Sequence, residues 1–349
     1  MDGGLTKYQQ LFRAEHGDIV VNKIWARNGS VAVVDDSLAG CHGSNEFPMF
    51  APLQGRLDPR WMHWVTKTQD FWAQCDQKSQ GTSGQNRIKP ERFLEVEIPL
   101  PLLDEQRRIV ARIEELAAKV EVARELRSLS VDEVTALGNS QANAIFGRTE
   151  YQTRPLGDVC LLITDGTHQT PRYVDDGAIF LSAQNVKPFR FMPEVHRKVS
   201  REDFAMYTAR NKPVRGDILL TRVGAGIGEA AIIDQDIEFA IYVSVALLRP
   251  NLTYLTPEFL VHWLNSPIGR SHSRSNTLGR GHSQGNLNLN LLRSFPVPIP
   301  PIERQQQIVT ELDALQAKID AVKALQTEIA AELDAMLPAI LDKAFKGKL

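Results

Sequence analysis

Pro298 stands 199 positions after Pro99 (298 − 99), and the same offset separates Gln305 from Gln106, Ile308 from Ile109 and Phe345 from Phe146. Upstream it relates Gly17-Asp18-Ile19-Val20-Val21 to Gly216-Asp217-Ile218-Leu219-Leu220. An offset held constant over so much of a chain marks an internal repeat, and it restricts the fold to two copies of one plan.

Each copy closes in the same way. Ile98-Pro99-Leu100-Pro101 and Val297-Pro298-Ile299-Pro300 are extended, because Pro lacks an N–H and biases the residue before it away from helix. A long helix follows. In the second copy its apolar positions are Ile308, Leu312, Leu315, Ile319, Val322, Ile329, Leu333, Met336 and Ile340, with Gln326 filling one slot. The first copy has Ile109, Ile113, Leu116, Val120 and Ala123 on the same frame. Steps alternating between four and three make a heptad seam. The shared offset argues against two unrelated amphipathic surface helices. The helices are expected to pair as an antiparallel coiled coil, through Ile109, Ile113, Leu116 and Val120 on one and Leu312, Leu315, Ile319 and Val322 on the other. A helix of about forty residues spans roughly 60 Å, so the pair can act as a spacer. Pro338 predicts a kink near the end of the second helix.

Before each helix lies a mixed α/β globule. A Gly-Asp turn feeds a strand in each, and second strands are predicted around Val31 to Asp35 and Ala230 to Asp234. Short helices start at Pro59 and Pro257, since Pro suits the first helical turn. Polar loops follow, Ser79 to Arg87 and Ser271 to Asn288. The second copy has residues 155–215 ahead of its Gly-Asp strand, whose counterpart would begin at −44 (155 − 199). The expected organisation is a partial first globule (1–101), a long helix (102–147), a full second globule (151–302) and a second long helix (303–349). The shortened globule is expected to leave its strand at Ile19 to Val21 as a sheet edge.

The composition is that of a globular chain: 349 residues, 43% hydrophobic, 23% charged, net charge −2. No global basic field announces nucleic acid, so local charge has to decide. Cys41, Cys75 and Cys160 are odd in number and have no metal-ligand spacing, which suits reduced thiols in a cytoplasmic protein. No apolar run is long enough for a membrane span, so the chain reads as soluble with no membrane partner. Catalytic signals are lacking as well. Gly224-Ala225-Gly226-Ile227-Gly228 is Gly-rich after a strand but is GxGxG, without the Rossmann spacing or a Walker lysine, and a tight turn explains it better. Asp165 and His168 sit three residues apart in a loop and make no triad. No metal site and no catalytic residue is predicted.

Binding signals are stronger. Between Glu258 and Glu303 there is no Asp or Glu, while Arg270, Arg274, Arg280 and Arg293 stand among His272, His282, Asn276, Gln284, Asn286, Asn288 and Asn290. Arg and amide side chains grip phosphates and read base edges. The first copy has a shorter equivalent in Lys78, Gln80, Gln85, Asn86, Arg87 and Lys89. A single basic loop is as often a solvated surface, but its recurrence at the same place in both copies favours double-stranded DNA. Lys23 and Arg222 also correspond, each just before a Gly turn. The candidate DNA contacts are Lys23, Lys78, Arg87, His168, Arg222, Arg274, Arg280, His282, Gln284 and Asn286. Two globules joined by paired helices would read two half-sites.

Several segments carry a family resemblance: Pro155-Leu156-Gly157-Asp158-Val159, Asp165-Gly166-Thr167-His168 with Pro171, Gly216-Asp217-Ile218-Leu219, Pro298-Ile299-Pro300-Pro301 with Glu303, Gln305 and Ile308, and Leu337 to Gly347. In this order, and duplicated, they resemble the specificity subunit of type I restriction-modification enzymes, with a truncated first target-recognition domain. The resemblance implies a non-catalytic subunit that reads a bipartite target. It also implies docking to methyltransferase subunits, two of them, and through these to restriction subunits. Those partners, not this chain, would use S-adenosylmethionine, ATP and Mg. The competing reading is a structural coiled-coil adaptor with degenerate globules and no DNA role, which has no need of an acid-free loop. A hydrolase or methyltransferase with its own active site is disfavoured by the missing motifs.

Overall fold

The computed structural model describes residues 10–80, 86–278 and 285–349. The chain forms two compact units, Met1–Leu129 with Leu325–Leu349, and Ser130–Ala324. Each unit therefore holds one globule, the first part of the helix that follows it, and the last part of the other copy's helix.

In the first unit β1 (Phe12–Arg13) pairs with β4 (His42–Gly43). β2 (Ile19–Val21) lies between β3 (Val31–Val33) and β5 (Met49–Phe50), antiparallel to both. The strand at Ile19 to Val21 is therefore central rather than an edge, a correction to the sequence expectation. The edges of this sheet among the described residues are β3 and β5, which flank β2 on either side. Helices α1 (Pro59–Val65), α2 (Gln69–Gln77) and α3 (Pro90–Phe93) follow. Asp58 caps α1 by accepting from the Arg60 N–H, with Pro59 in the first turn.

The second unit has more strands: β6 (Thr153–Pro155), β7 (Cys160–Asp165), β8 (Tyr173–Leu181), β9 (Val186–Lys187), β10 (Arg190–Phe191) and β11 (Arg197–Val199). After α5 (Arg201–Thr208) come β12 (Ile218–Thr221), β13 (Ala230–Ile232), β14 (Phe239–Ile241) and β15 (Val245–Pro250). Then follow α6 (Pro257–Asn265), α7 (Pro267–Ser275), β16 (Thr277–Leu278), β17 (Asn286–Leu287), α8 (Leu289–Arg293) and β18 (Pro296–Pro298). The main sheet has the order β13-β12-β15-β7, and a second sheet is β11-β8-β14 with β14 parallel to β8. The trio β13-β12-β15 repeats β3-β2-β5, and β7 is the added strand. Thr256 caps α6 as Asp58 caps α1, again ahead of a Pro.

The long helices are α4 (Leu103–Phe146) and α9 (Ile302–Phe345), 44 residues each, and Pro338 does not end α9. In the first unit Ile109, Val110 and Ile113 of α4 share a core with Leu341 and Ala344 of α9, and Arg124 meets Asp334 at 2.8 Å. In the second unit Ile145 and Phe146 share a core with Ile308 and Leu312, and Gln141 donates to Glu311 at 2.7 Å. Partners descend along α9 as they ascend along α4, so the helices are antiparallel. At Gly138 they approach so closely that a Cβ would lie 2.6 Å from Cδ1 of Ile319. Of the predicted seam, Ile109, Ile113, Val120, Leu312 and Ile319 are buried, and Leu116, Leu315 and Val322 half-buried. The helix ends also plug the globules. Phe345 meets Trp61 edge-on at 4.9 Å in the first unit, and Phe146 meets Phe259 edge-on at 5.6 Å in the second.

Candidate nucleic-acid interface

β16 and β17 form a hairpin in which Leu278 lies opposite Asn286. In the first unit the bridge between Gln80 and Arg87 holds the same place in the repeat. Main-chain bonds support the equivalence: the Ile88 N–H donates to the Lys23 carbonyl at 2.9 Å, and the Leu287 N–H to the Arg222 carbonyl at 3.0 Å. Arg280, His282 and Gln284, proposed from sequence as contacts, lie outside the described residues, as does Gln85.

The base of the second hairpin is organised by Arg222. Its Nη1 donates to the Asp165 carboxylate and to the Val243 carbonyl (3.2 Å), and its Nε donates to the Leu287 carbonyl (2.9 Å). Nη2 reaches the Asn286 Oδ1 at 3.4 Å. Arg222, one of the DNA contacts expected from the sequence, is 5% exposed, with its guanidinium engaged by protein acceptors. It is a strut that ties the hairpin to the end of β7, because a buried guanidinium needs a carboxylate and acceptors around it. Asp165 also accepts His168, whose Nε2 lies 3.0 Å away in an exposed ring. The Asp165 carbonyl accepts from Asn211 at 2.6 Å. His168 and Arg222 thus meet at one carboxylate and Asn286 reaches the guanidinium, with His168 and Asn286 left facing solvent.

Arg274 is exposed on α7, four residues beyond Arg270. Arg270 is half-buried with its Nη2 3.7 Å from Glu229, and burial pushes its pKa down against the pull of that carboxylate. The acid-free stretch is thus acid-free in sequence only, since Glu229 reaches it from the turn after β12. That turn contains Gly228 at φ +85°, matched by Gly29 at φ +85° in the first unit. A Cβ at Gly228 would lie 2.7 Å from Cβ of Ser273, and one at Gly29 would lie 2.8 Å from the Trp72 ring. These glycines serve a left-handed turn pressed against a helix, which accounts for the Gly-rich run without a nucleotide.

In the first unit the candidate cations are more occupied. Arg87 lies 3.3 Å from the Glu46 carboxylate, and the Glu46 carbonyl accepts from the Lys23 N–H at 3.2 Å. Lys23 is half-buried in the turn after β2. Lys78 stands apart at the end of α2, 3.6 Å from Glu95. Sequence reasoning did not identify Asp165 and Glu46 as the acids that organise these sites. Each is remote in sequence from the arginine it meets, and the residues beside a carboxylate carry no mark of its partner. Among the described residues no group of three or more His, Cys, Asp or Glu side chains is placed to hold a metal, and no helix is long and apolar enough to cross a membrane.

The fold and its sequence have close counterparts. A chain from a structure of complex assembly and conformational transition in the type I R-M system covers 97% of this chain, with a TM-score of 0.79, 23% identity and 83% of its own length matched. The crystal structure of the HsdS subunit from Thermoanaerobacter tengcongensis covers 97% as well, with a TM-score of 0.63, 25% identity and 82% of its own length. The type I restriction enzyme EcoBI specificity subunit of Escherichia coli is 35% identical over 153 residues, 44% of this chain. The StySPI specificity subunit of Salmonella potsdam is 23% identical over 320 residues, 84% of this chain. The chain spans 31% of the length of the first of these relatives and 66% of the second. The family model for the type I restriction modification DNA specificity domain matches residues 1–128 and 148–331. With the duplicated globules and the paired helices, this shows that the chain belongs to the type I restriction modification DNA specificity domain family.

Proposed function

We propose that the chain is a non-catalytic subunit that recognises double-stranded DNA for a type I restriction-modification complex. The observation that carries the reading is the recurrence of one hairpin site in both globules, built on Leu278–Asn286 in one and Gln80–Arg87 in the other. Around the second site stand Arg274, His168 and Asn286, side chains suited to phosphate and base contact. Membership of the specificity family supports the same conclusion.

In this reading each globule addresses one part of a bipartite target, and the helix pair is both spacer and docking surface for two methyltransferase subunits. Restriction subunits join through these. S-adenosylmethionine, ATP and Mg belong to those partners, and the complex works on DNA in the cytoplasm. The first hairpin site has its arginine faced by Glu46 and its lysine by Glu95. The second globule is therefore the stricter reader.

The test is methylation mapping over a random-sequence library with the cognate methyltransferase subunits. One strict half-site and one weak or absent half-site are expected. A motif equally strict in both halves overturns the assignment of the stricter reader. In binding assays Arg274→Ala should lower affinity for every sequence and flatten the salt slope by about one, as loss of a phosphate contact does. If Arg274→Ala and Asn286→Ala both bind DNA like the parent at several salt concentrations, the site is not the reader and the helix-pair adaptor becomes the better reading.

A further inference from the structure

Trp25 stands in the turn that follows β2, and much of its ring is in solvent. It is 52% exposed, whereas in the same unit Trp61 is buried and Trp64 and Trp72 are half-buried. Trp61 Nε1 donates to the Pro99 carbonyl at 2.8 Å and Trp72 Nε1 to the Thr66 carbonyl at 2.6 Å. The Trp25 indole has no hydrogen-bond or ring partner among the described residues. The turn beneath it is fixed. Asn22 Oδ1 accepts from the N–H groups of Ile24 (3.0 Å) and Trp25 (3.2 Å), and the Trp25 carbonyl accepts from those of Asn28 (2.9 Å) and Ser30 (3.1 Å). Ala26, the next residue, is fully buried. A single exposed apolar residue is ordinary. What distinguishes Trp25 is its place.

The Lys23 carbonyl accepts from the Ile88 N–H at 2.9 Å, so Trp25 lies two residues from the base of the Gln80–Arg87 hairpin site. Its counterpart 199 positions later is Gly224, next to Val223, which bridges Asn286 at the base of the second hairpin. No atom lies within 4 Å of where a Cβ on Gly224 would stand. The second globule has strands β6 to β11 in place and still leaves this part of the turn open. The space around Trp25 therefore belongs to the turn itself.

The two sites divide their chemistry differently. Arg274 is the eighth residue of α7, which Ser266 caps, and Asp76 is the eighth residue of α2, which Thr68 caps. Where the second site has an exposed arginine, the first has a carboxylate, 3.8 Å from Arg27. Arg87 is faced by Glu46 in the same way. With these cations matched by carboxylates, the first site has little net attraction for phosphate. The group it offers instead is an aromatic ring, which gains by packing on the face of a base through contact area rather than charge.

We propose that Trp25 is the base-contacting residue of the first globule, with its indole packed on a base in that globule's part of the target. The inference rests on the reading of the hairpin sites as DNA-facing, and adds the residue and the chemistry through which the weaker site contributes. Binding through the ring releases no counterions, so it is insensitive to salt, unlike the phosphate contact assigned to Arg274.

The experiment uses the full chain assembled with its cognate methyltransferase subunits and a duplex carrying the mapped target. Trp25→Ala should lower affinity about tenfold with the salt slope unchanged, and Trp25→Phe should restore most of the loss. In the parent complex, 5-iodouracil is placed at one position of the duplex after another and irradiated. A crosslink to Trp25 is expected within the first globule's part of the target, and this readout needs no variant to fold. The inference is overturned if Trp25→Ala binds like the parent, if its salt slope falls along with its affinity, or if no position crosslinks to Trp25. It is equally overturned if Trp25→Ala melts like the parent but fails to assemble with the methyltransferase subunits, since the ring then faces protein. If Arg274→Ala and Asn286→Ala both bind like the parent, the DNA reading fails and this inference with it. If those two weaken binding and Trp25→Ala does not, this inference fails alone.

Discussion

Gln106 and Gln305 make the same three hydrogen bonds in the two units. Gln106 accepts from the Asp58 N–H (2.9 Å) and donates to the carbonyls of Arg56 and Pro101 (both 2.8 Å). Gln305 accepts from the Thr256 N–H (2.9 Å) and donates to the carbonyls of Tyr254 (2.7 Å) and Pro300 (2.9 Å). Both side chains are fully buried. Each amide ties the cap of a short globule helix to the Pro-rich exit and the first turn of the long helix. A single residue thereby fixes where each long helix leaves its globule.

Replacing Gln305 by Leu should therefore destabilise the second unit. It keeps much of the volume but removes the partner of three backbone groups, one buried and two partly buried. The expected loss is about 2–4 kcal/mol, read by urea denaturation of the full chain. A loss near zero would mean that water reaches these groups.

Arg222→Ala should lower stability by about 3–5 kcal/mol, because it strands the Asp165 carboxylate in a largely buried position. Arg222→Lys should rescue little, since one ammonium cannot reproduce bonds made through Nε, Nη1 and Nη2. Thermal melts check both variants. An unchanged melting temperature with lost DNA binding would make Arg222 a direct ligand rather than a strut.

Gly138→Leu should overpack the helix pair at Ile319 and cost about 1–3 kcal/mol. Leu312→Asp should cost more, as it buries an unpaired charge in the core shared with Ile145 and Phe146. Loss of assembly with the methyltransferase subunits is the accompanying readout in pull-down. Normal stability and assembly of Leu312→Asp would show that the seam lies elsewhere.

His262 gives a pH dependence with a definite sign. It is buried on α6 with Nε2 2.8 Å from Asp313, and burial lowers its pKa below the ordinary 6.5 against the pull of that carboxylate. A depressed histidine binds fewer protons folded than unfolded, so folding is favoured above about 6.5. That contribution is lost as pH falls from there through the lowered folded value. His262→Asn should therefore flatten the stability of the chain between about pH 7.5 and 5. A parent curve that rises on acidification over this range would reverse the assignment.

Much of the architecture could be read from residue order because it rests on local physics. The Pro runs, the Pro-started short helices and the heptad steps of α4 and α9 each act over a few residues, and the constant offset made every reading testable in a second copy. The hairpin sites were located by composition for the same reason. Their chemistry was not, because Arg222 looked like any strand-end cation until Asp165, 57 residues away, was seen to hold it.

The sequence by itself determined that two copies of one plan exist, that each ends in a long helix with an apolar seam, and that the second hairpin is rich in Arg and amides. Tertiary structure alone decided three further things. It made Ile19 to Val21 a central strand, with β3 and β5 on its flanks. It placed the end of each long helix in the core of the other copy's globule, with Phe345 on Trp61 and Phe146 on Phe259. It neutralised Arg87 and Lys78 with Glu46 and Glu95 while leaving Arg274 exposed. The physical reason is one of range. Backbone preferences and periodicity are set by near neighbours in the chain, whereas burial and ion pairing depend on groups that only folding brings together.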